Sequence, residues 1–316
     1  MGREHRVNRG ALRRRRRVAG GSLCILYAFL VPAVGITLLF QYLPMFSNVI
    51  AFLEYDFSKG WFGLASPFVG FKNFGFLGER WFYEIMGRTV YYSVAIIAFS
   101  FPVPLILALL MNELRSARFQ RTVQTISYVP RFVSWVTIGG LVYVFLTSDH
   151  SGLVNNARIA MGADQRISFM QDHRLFLPLL VITQNWKEAG WGTILYLAAL
   201  TTINPELYEA ADVDGASRWQ KVRFITFPGL VPTTSILLIL TMGGLFSANF
   251  DQMMNLQNAV IRPHTDVINV FTYFRGIVNH QYSFATAVGL FQGVISFALI
   301  LVTNRVSKAV SGTGLL

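Results

Sequence analysis

Apolar residues form six long runs along the chain, separated by shorter polar segments. A helix needs about 20 mainly apolar residues to cross the hydrocarbon core of a bilayer. The runs lie at about 23–44, 89–111, 126–146, 175–200, 230–250 and 284–302. Pro130 and Arg131 lie near the start of the third run, and Lys187 and Glu188 interrupt the fourth. The pattern predicts an all-α, polytopic membrane protein with six transmembrane helices.

The composition favours a single membrane domain over two soluble domains. Apolar residues make up 53% of the 316 residues and charged residues only 14%, whereas soluble domains carry about 25% charged residues. The net charge of +11 does not indicate nucleic-acid binding, because eight arginines lie in the first 17 residues and the other basic residues are scattered. Cys24 is the single cysteine, so no internal disulfide forms.

The distribution of basic residues predicts the orientation, since lysine and arginine are enriched in cytoplasmic loops. With the N-terminus in the cytoplasm, 17 Lys and Arg fall on the cytoplasmic side and 9 on the outer side. We therefore predict cytoplasmic tails at 1–22 and 307–316 around a six-span domain at 23–306. The run Arg13–Arg17 is interpreted as a topology anchor or, alternatively, as a site for anionic membrane lipid.

The polar loop between the fourth and fifth runs carries helix start and stop signals on the predicted cytoplasmic side. Asn204 suits an N-cap, and Pro205 suits the first helical position. Gly215 can adopt the left-handed conformation that ends a helix. Ser217 and Gln220 have the spacing of a capping box. We predict two short helices joined by a glycine turn, with an alanine face on the first that is suited to docking.

This loop resembles the EAA motif of the permease subunits of ABC importers. The motif has an acid and two alanines, a glycine four positions later, and an Ile-x-apolar-Pro sequence ten positions after that glycine. The matching residues are Glu209, Ala210, Ala211, Gly215, Ile225 and Pro228, with Phe227 where leucine is commoner. In that family the motif forms coupling helices that sit in a groove of the ATPase subunit.

The resemblance implies that segment 204–228 is a coupling loop. The residues implied to contact the ATPase are Glu209, Ala210, Ala211, Asp214 and Gly215. Ile225 and Pro228 are implied to shape the return into the fifth span. The alternative is a capped loop helix that only covers the cytoplasmic surface.

Segments 124–136 and 186–191 resemble a subgroup of the maltose-permease-like carbohydrate importers. The subgroup contains LplB-like proteins and permeases for alginate and aldouronate oligosaccharides. The resemblance covers about 73–302 and implies a type I ABC importer permease fold in the bacterial inner membrane. It implies an oligosaccharide substrate, an anionic uronate oligosaccharide being one candidate. The implied partners are a second homologous permease, two ABC ATPase subunits and a periplasmic or extracytoplasmic solute-binding protein.

No Gly-x-x-x-x-Gly-Lys-Ser/Thr sequence occurs in the chain, so no phosphate-binding loop for a nucleotide is encoded. The resemblance implies that the partner ATPases bind ATP and Mg. We expect a transporter subunit that is not an enzyme, with no cofactor, catalytic residue or metal site of its own.

Polar and aromatic side chains within the predicted spans are candidates for the transport pathway, because polar groups at membrane depth usually face the bundle interior. Amides both donate to and accept from sugar hydroxyls, and aromatic rings stack on sugar rings. The candidates are Tyr143, Gln184, Asn185, Trp186, Lys187, Glu188, Trp191, Asn249, Gln252, Gln292 and Ser296.

Two interpretations of Lys187 and Glu188 stay open. In the first, the fourth helix breaks near Gly190 and the charges line a wet pathway, where Lys187 faces a substrate carboxylate. In the second, the charges make helix contacts within the subunit or with a second permease.

Two alternative functions also stay open. A polytopic membrane glycosyltransferase would use Asp212 and Asp214 as an Asp-x-Asp metal site, although two acids alone make a poor site. An ABC permease for a non-sugar solute would carry the same motif loop. Acids and histidines of the outer loops, such as His264 and Asp266, are interpreted as solvated residues or as contacts for substrate or binding protein.

Overall fold

The computed structural model describes residues 27–59, 65–246, 249–312 and 314. The predicted arginine-rich tail at 1–22 lies outside the described residues. The described residues divide into two compact units. The smaller unit contains the described residues up to Phe74 and those within Tyr282–Ala287. The larger unit contains the described residues within Gly75–Gln281 and Val288–Leu316.

The smaller unit is built on helix α1, Tyr27–Phe52, which is 26 residues long. No residue in the most apolar 18-residue window of α1 is buried within the chain. Asn73 Nδ2 donates hydrogen bonds of 2.9 Å to the carbonyls of Ala51 and Leu53, which ties the end of α1 to the following loop. An apolar helix with so much exposed surface needs lipid or another protein to cover it.

The remaining helices follow in chain order. They are α2 Arg80–Ser100, α3 Pro102–Asn112, α4 Ala117–Tyr128, α5 Trp135–Leu146, α6 Leu153–Ala160, α7 Phe176–Leu200, α8 Pro205–Val213, α9 Arg218–Lys221, α10 Phe227–Gly243, α11 Phe250–Leu256, α12 Arg262–Thr265, α13 Ile268–Tyr273 and α14 Tyr282–Ser311. A 3₁₀ segment at Val129–Phe132 extends α4, and π segments at Val222–Thr226 and Phe274–Val278 follow α9 and α13.

Among the described residues, four helical stretches are long and apolar enough to cross a membrane. They are Tyr27–Phe52, Arg80–Asn112, Arg218–Gly243 and Tyr282–Ala309. The pair α4 and α5 would make a fifth crossing. α7 coincides with the fourth predicted span and has 25 residues, but its centre is polar. The prediction of an all-α, polytopic membrane fold is confirmed.

The third predicted span is not the single helix expected at 126–146. The helical segments Ala117–Phe132 and Trp135–Leu146 meet at an angle of 98°. Val133 and Ser134 between them are extended, with ψ values of 130° and 153°. The Ser134 side chain accepts a hydrogen bond of 3.1 Å from the Thr137 amide and so starts a new helix. A hydropathy run cannot reveal such a change of direction.

The interpretation in which the fourth span breaks near Gly190 is wrong, because α7 is continuous from Phe176 to Leu200. Its glycines instead permit close packing. A Cβ atom on Gly192 would lie 2.7 Å from Cβ of Pro104 in α3. Small residues allow helix backbones to approach each other in this way.

α7 takes part in two buried apolar clusters, one at each end. The first cluster includes Tyr92, Ile96, Phe176, Leu180, Met253 and Leu256, and the second contains Ala108, Tyr196, Leu200 and Leu230. Helices α2 and α11 therefore pack on the start of α7, and α3 and α10 pack on its end. The polar centre of α7 lies between these clusters.

Candidate functional site

The loop at 204–228 has the local structure that its sequence predicts. The Asn204 side chain accepts a hydrogen bond of 3.1 Å from the Glu206 amide at the start of α8. Gly215 follows α8 with a φ of +73°, the left-handed region that favours glycine. Ser217 and Gln220 form a capping box that starts α9. The prediction of two short helices with a glycine turn is confirmed.

Both short helices present exposed surface. Leu207, Val213 and Trp219 are 51%, 88% and 71% exposed, although they are large and apolar. The motif residues Glu209, Ala210, Asp214 and Gly215 are exposed, and Ala211 is half-buried. Contiguous apolar patches at a surface are typical of contact sites for other molecules.

Two contacts within the loop hold α8 against the segment that follows it. The Tyr208 hydroxyl lies 3.0 Å from the Thr226 hydroxyl. Lys221 Nζ lies 2.7 Å from Asp212 Oδ1. Asp212 is thus paired with a cation, and the described part of the chain has no group of three or more His, Cys, Asp or Glu side chains that could hold a metal. Pairing with Lys221 occupies the Asp212 carboxylate that an Asp-x-Asp metal site would use.

The return from the loop into the membrane is one helical stretch, Arg218–Gly243. Ile225 lies half-buried in its π segment, and Pro228 lies at the start of α10. A displacement of the loop would therefore act directly on the fifth span.

The polar centre of α7 packs against the bend between α4 and α5. Lys187 Nζ donates hydrogen bonds to the carbonyls of Arg131, at 2.9 Å, and of Val133. Arg131 in turn forms an ion pair with Glu188. Lys187 is only 8% exposed, and its charge stabilises carbonyls that a helix end leaves without partners. The helix contact within the subunit is therefore supported, and the Lys187 ammonium faces backbone carbonyls in this structure.

Gly190 and Trp191 complete this contact. A Cβ atom on Gly190 would collide with the carbonyl oxygen of Ser127. The Trp191 ring stacks on Tyr128 with centroids 5.9 Å apart, and the Arg131 guanidinium lies 5.5 Å from the Trp191 ring centre. We call the packing of Lys187, Glu188, Gly190 and Trp191 on residues 127–133 the kink lock.

A cavity of about 190 Å³ lies beside the kink lock, between α2, α7 and α10. Predicted pathway residues that line it are Gln184, Asn185, Glu188 and Asn249. Pockets that enclose a whole drug-sized ligand have about 300–1,000 Å³. The cavity therefore has room for only part of an oligosaccharide.

The other predicted pathway residues do not line this cavity. They are Tyr143, Trp186, Lys187, Trp191, Gln252, Gln292 and Ser296. Gln252 is fully buried, and its amide donates hydrogen bonds of 2.8 Å to the Leu180 carbonyl and the Thr183 hydroxyl. Its role is to hold α11 on α7.

The cavity wall also contains three hydroxyl residues that were not among the sequence candidates, namely Ser93, Ser100 and Thr241. Ser93 and Ser100 are seven positions apart, which places them on one face of the second span. The Ser93 hydroxyl donates to the Leu245 carbonyl at 2.8 Å. Ser100 Oγ is buried without a hydrogen-bond partner among the described residues. The spacing of hydroxyl residues within an apolar run was the signal that could have identified them.

Comparisons with known proteins relate this fold to transport. A family model described as binding-protein-dependent transport system inner membrane component matches residues 100–250. Protein LplB of Bacillus subtilis (strain 168) is 40% identical over 291 residues, which cover 92% of this chain and 90% of LplB. The polygalacturonan/rhamnogalacturonan transport system permease protein YteP of the same organism is 38% identical over 92% of this chain and 89% of its own length.

Two solved structures share the fold. One is a chain of a bacterial ABC transporter involved in the import of the acidic polysaccharide alginate. It has a TM-score of 0.83 and 35% identity over 94% of this chain and 99% of its own. The other is a chain of a bacterial alginate ABC transporter in complex with a periplasmic protein that holds an alginate pentasaccharide. It has a TM-score of 0.82 and 37% identity over 92% of this chain and 96% of its own.

Proposed function

This chain belongs to the family of inner-membrane components of binding-protein-dependent transport systems, as the sugar or oligosaccharide permease of an ABC importer, and we propose that loop 204–228 couples it to ATPase subunits. The observation that carries this proposal is the exposed apolar surface of α8 and α9 on a locally capped, glycine-turned loop. Its relatives are transporter subunits and not enzymes, which argues against a glycosyltransferase acting through Asp212 and Asp214.

In the proposed mechanism the partner ATPases bind ATP and Mg, and their closure displaces the coupling loop. α8 moves together with α9 and the π segment after it, because Asp212 pairs with Lys221 of α9 and the Tyr208 hydroxyl contacts the Thr226 hydroxyl of the π segment. The stretch Arg218–Gly243 carries the displacement into the membrane. The permease then changes between outward and inward access, a switch between two states that bind the partners differently.

We propose that a second homologous permease, two ATPase subunits and an extracytoplasmic solute-binding protein complete the importer. One chain carries one coupling loop, so two ATPases call for two permeases. The 190 Å³ cavity encloses only part of an oligosaccharide, which supports a pathway shared with the second permease. Both termini lie in the cytoplasm in this proposal.

The proposed substrate is an oligosaccharide that contains uronate units. The support is the chemistry named for similar proteins, since YteP is a polygalacturonan/rhamnogalacturonan permease and the two similar structures come from alginate transporters. Residues Asn185 and Asn249 in the cavity wall offer amide groups to sugar hydroxyls.

The coupling proposal is tested in proteoliposomes that contain the whole importer, by ATP-driven uptake of a uronate oligosaccharide. Glu209→Lys reverses an exposed charge of the proposed contact, and Gly215→Pro imposes a φ of about −65° where the chain has +73°. Both variants should insert into the membrane normally, but uptake and co-purification of the ATPase should be lost.

Matched control variants make the same two kinds of substitution outside loop 204–228. Glu113→Lys reverses a charge on an exposed residue outside the loop, and Gly162→Pro replaces another glycine with positive φ, on the predicted outer side. These variants should retain uptake. Normal uptake by Glu209→Lys and Gly215→Pro would refute the coupling assignment.

A further inference from the structure

Helix α4, the first half of the bent third span, exposes one side along its whole length. No residue of α4 is buried within the chain. Its packed side meets α7, where the Ser127 carbonyl approaches Gly190 and the Tyr128 ring stacks on Trp191. Positions 118, 121, 125 and 129 are spaced three or four apart and therefore share the opposite side. We call that exposed side, with the residue just before the helix, the α4 face; it consists of Arg115, Arg118, Arg121, Thr125, Ile126 and Val129.

The chemistry of the α4 face changes along the helix axis. It begins with three arginines, continues with Thr125, and ends with Ile126 and Val129, which are 67% and 55% exposed. A rise of 1.5 Å per residue places Arg118 and Ile126 about 12 Å apart along the axis. The polar layer of one leaflet is about 5–8 Å thick. The face is therefore long enough to reach from the charged headgroups of a leaflet into its acyl chains.

The positive charge of the α4 face is not balanced within the chain. The guanidinium groups of Arg115, Arg118 and Arg121 are exposed and make no ion pair or hydrogen bond with other described residues. Segment 112–130 contains one acid, Glu113. Other arginines of the larger unit differ, since Arg131 pairs with Glu188. Arginine presents a planar fork of donors that matches the oxygens of a phosphate, so the three free groups suit an anionic phosphate ligand.

The apolar end of the face distinguishes a lipid from a soluble anion. A free phosphate would contact the arginines alone and would leave Ile126 and Val129 in water. Phe132, in the 3₁₀ segment that extends α4, adds another apolar side chain that is 74% exposed. Phosphate and hydrocarbon are joined in one molecule in a phospholipid, and basic groups on the cytoplasmic side of spans attract anionic headgroups.

Resting on the proposed cytoplasmic location of loop 204–228 and the termini, we propose that the α4 face binds an anionic phospholipid of the cytoplasmic leaflet. The phosphate pairs with Arg118 and Arg121, and Arg115 adds a third positive charge beside it. The acyl chain lies along Ile126 and Val129. The bound lipid covers the exposed side of α4 and so stabilises the packing of its other side on α7.

The test is equilibrium binding of fluorescent, acyl-labelled phosphatidylglycerol to the importer complex purified in detergent. Phosphatidylcholine with the same chains is the comparison, because its headgroup carries no net charge. Each arginine near an anionic lipid surface contributes about 1 kcal/mol, or about fivefold in Kd. Arg118→Gln should therefore raise the Kd for phosphatidylglycerol about fivefold, and Arg118→Gln with Arg121→Gln about 25-fold. The Kd for phosphatidylcholine should not change.

Three further variants separate charge, apolar contact and position. Arg118→Lys with Arg121→Lys should keep most of the affinity, since lysine also binds phosphate as a point charge. Ile126→Ser should weaken both lipids several-fold, because both carry the same acyl chains. Arg305→Gln is the matched control, since Arg305 is an exposed arginine on the same proposed side but in α14. It should bind both lipids as the unchanged protein does.

Thermal unfolding of the complex supplies a second measurement. A ligand that binds only the folded state stabilises it. Added phosphatidylglycerol should therefore raise the unfolding temperature of the unchanged complex more than that of the Arg118→Gln, Arg121→Gln variant. The unfolding temperatures of the two proteins in phosphatidylcholine report whether the variant is folded. If it is not, Arg115→Gln, which lies before the helix, should still raise the Kd about fivefold, and an unchanged Kd would overturn the inference.

Four results would overturn the α4 face as a lipid site. They are unchanged phosphatidylglycerol binding by the double glutamine variant, an equal loss in Arg305→Gln, displacement of the labelled lipid by glycerol phosphate, and loss of the second permease from the variant complex. The second would indicate general attraction to basic groups, the third a site for soluble anions, and the fourth a face covered by protein.

The same preparations keep this inference distinct from the proposed function. Uronate uptake by the importer, with lipid binding unaffected in the double glutamine variant, would refute the lipid site and leave the function intact. Absence of uptake and of a co-purifying ATPase, with the expected lipid binding, would refute the function and leave the lipid site intact.

Discussion

The coupling loop and the kink lock differ in the range of the contacts that build them. Both are rich in charges beside alanine or glycine, and both adjoin a predicted span. The caps of the loop join residues two or three positions apart, as in Asn204–Glu206 and Ser217–Gln220. The Arg131–Glu188 pair of the kink lock joins residues 57 positions apart. Similar residue types therefore produce an exposed surface in one region and a buried helix contact in the other.

This difference has an energetic consequence. Substitutions in the kink lock should destabilise the folded subunit, because they remove or crowd contacts between packed helices. Substitutions in the loop should impair coupling and leave the global stability nearly unchanged, because the loop surface is solvent-exposed until a partner covers it. Three substitutions test this separation.

Lys187→Met should have the largest effect. It removes charge-assisted hydrogen bonds to the carbonyls of Arg131 and Val133, each contributing about 1.5–3 kcal/mol. We expect a loss of about 3 kcal/mol or more in the free energy of unfolding, measured by denaturation of the purified complex. Lys72→Met is the control, because Lys72 is exposed and its ion pair with Glu54, at 3.6 Å, is also exposed. Equal stability of the two variants would refute a structural role for Lys187.

Gly190→Ala should have an intermediate effect. The new Cβ would collide with the Ser127 carbonyl, and forced overpacking costs about 1–3 kcal/mol. Gly87→Ala in α2 is the control because a Cβ there meets nothing within 4 Å; alanine should slightly stabilise that helix. Thermal unfolding of both variants in detergent should therefore move in opposite directions. A rise in both unfolding temperatures would contradict the close approach of α7 to α4.

Ser217→Ala should have the smallest effect on stability and a selective effect on coupling. It removes the cap of α9, at a local cost of about 1 kcal/mol. The rate of ATP-driven uptake should fall, while the unfolding temperature of the complex stays close to that of the unchanged protein. Ser116→Ala removes a similar cap from α4, where Ser116 accepts from the Phe119 amide at 3.3 Å. A similar loss of uptake in this control would show that the loop has no special role.

Much of the molecule follows from local sequence features. Apolar runs longer than a bilayer thickness determine an all-helical membrane fold, since a chain in lipid must satisfy its backbone hydrogen bonds internally. Capping residues and Gly215 determine the local structure of the proposed coupling loop, because their effects extend over only a few positions. The spacing of the motif residues in that loop is by itself enough to indicate the transporter family.

Only the tertiary structure decided which polar residues meet. Hydropathy could not show the 98° bend at Val133–Ser134, because apolar residues continue on both sides of it. The partners of Lys187 are backbone carbonyls more than 50 positions away, and carbonyls carry no signal in a side-chain pattern. Arg262 and Arg275 looked like ordinary loop residues until the fold placed both in the wall of one cavity with aromatic rings. Local rules therefore determined the elements and their caps, while long-range packing decided which charges hold helices together and which line a cavity.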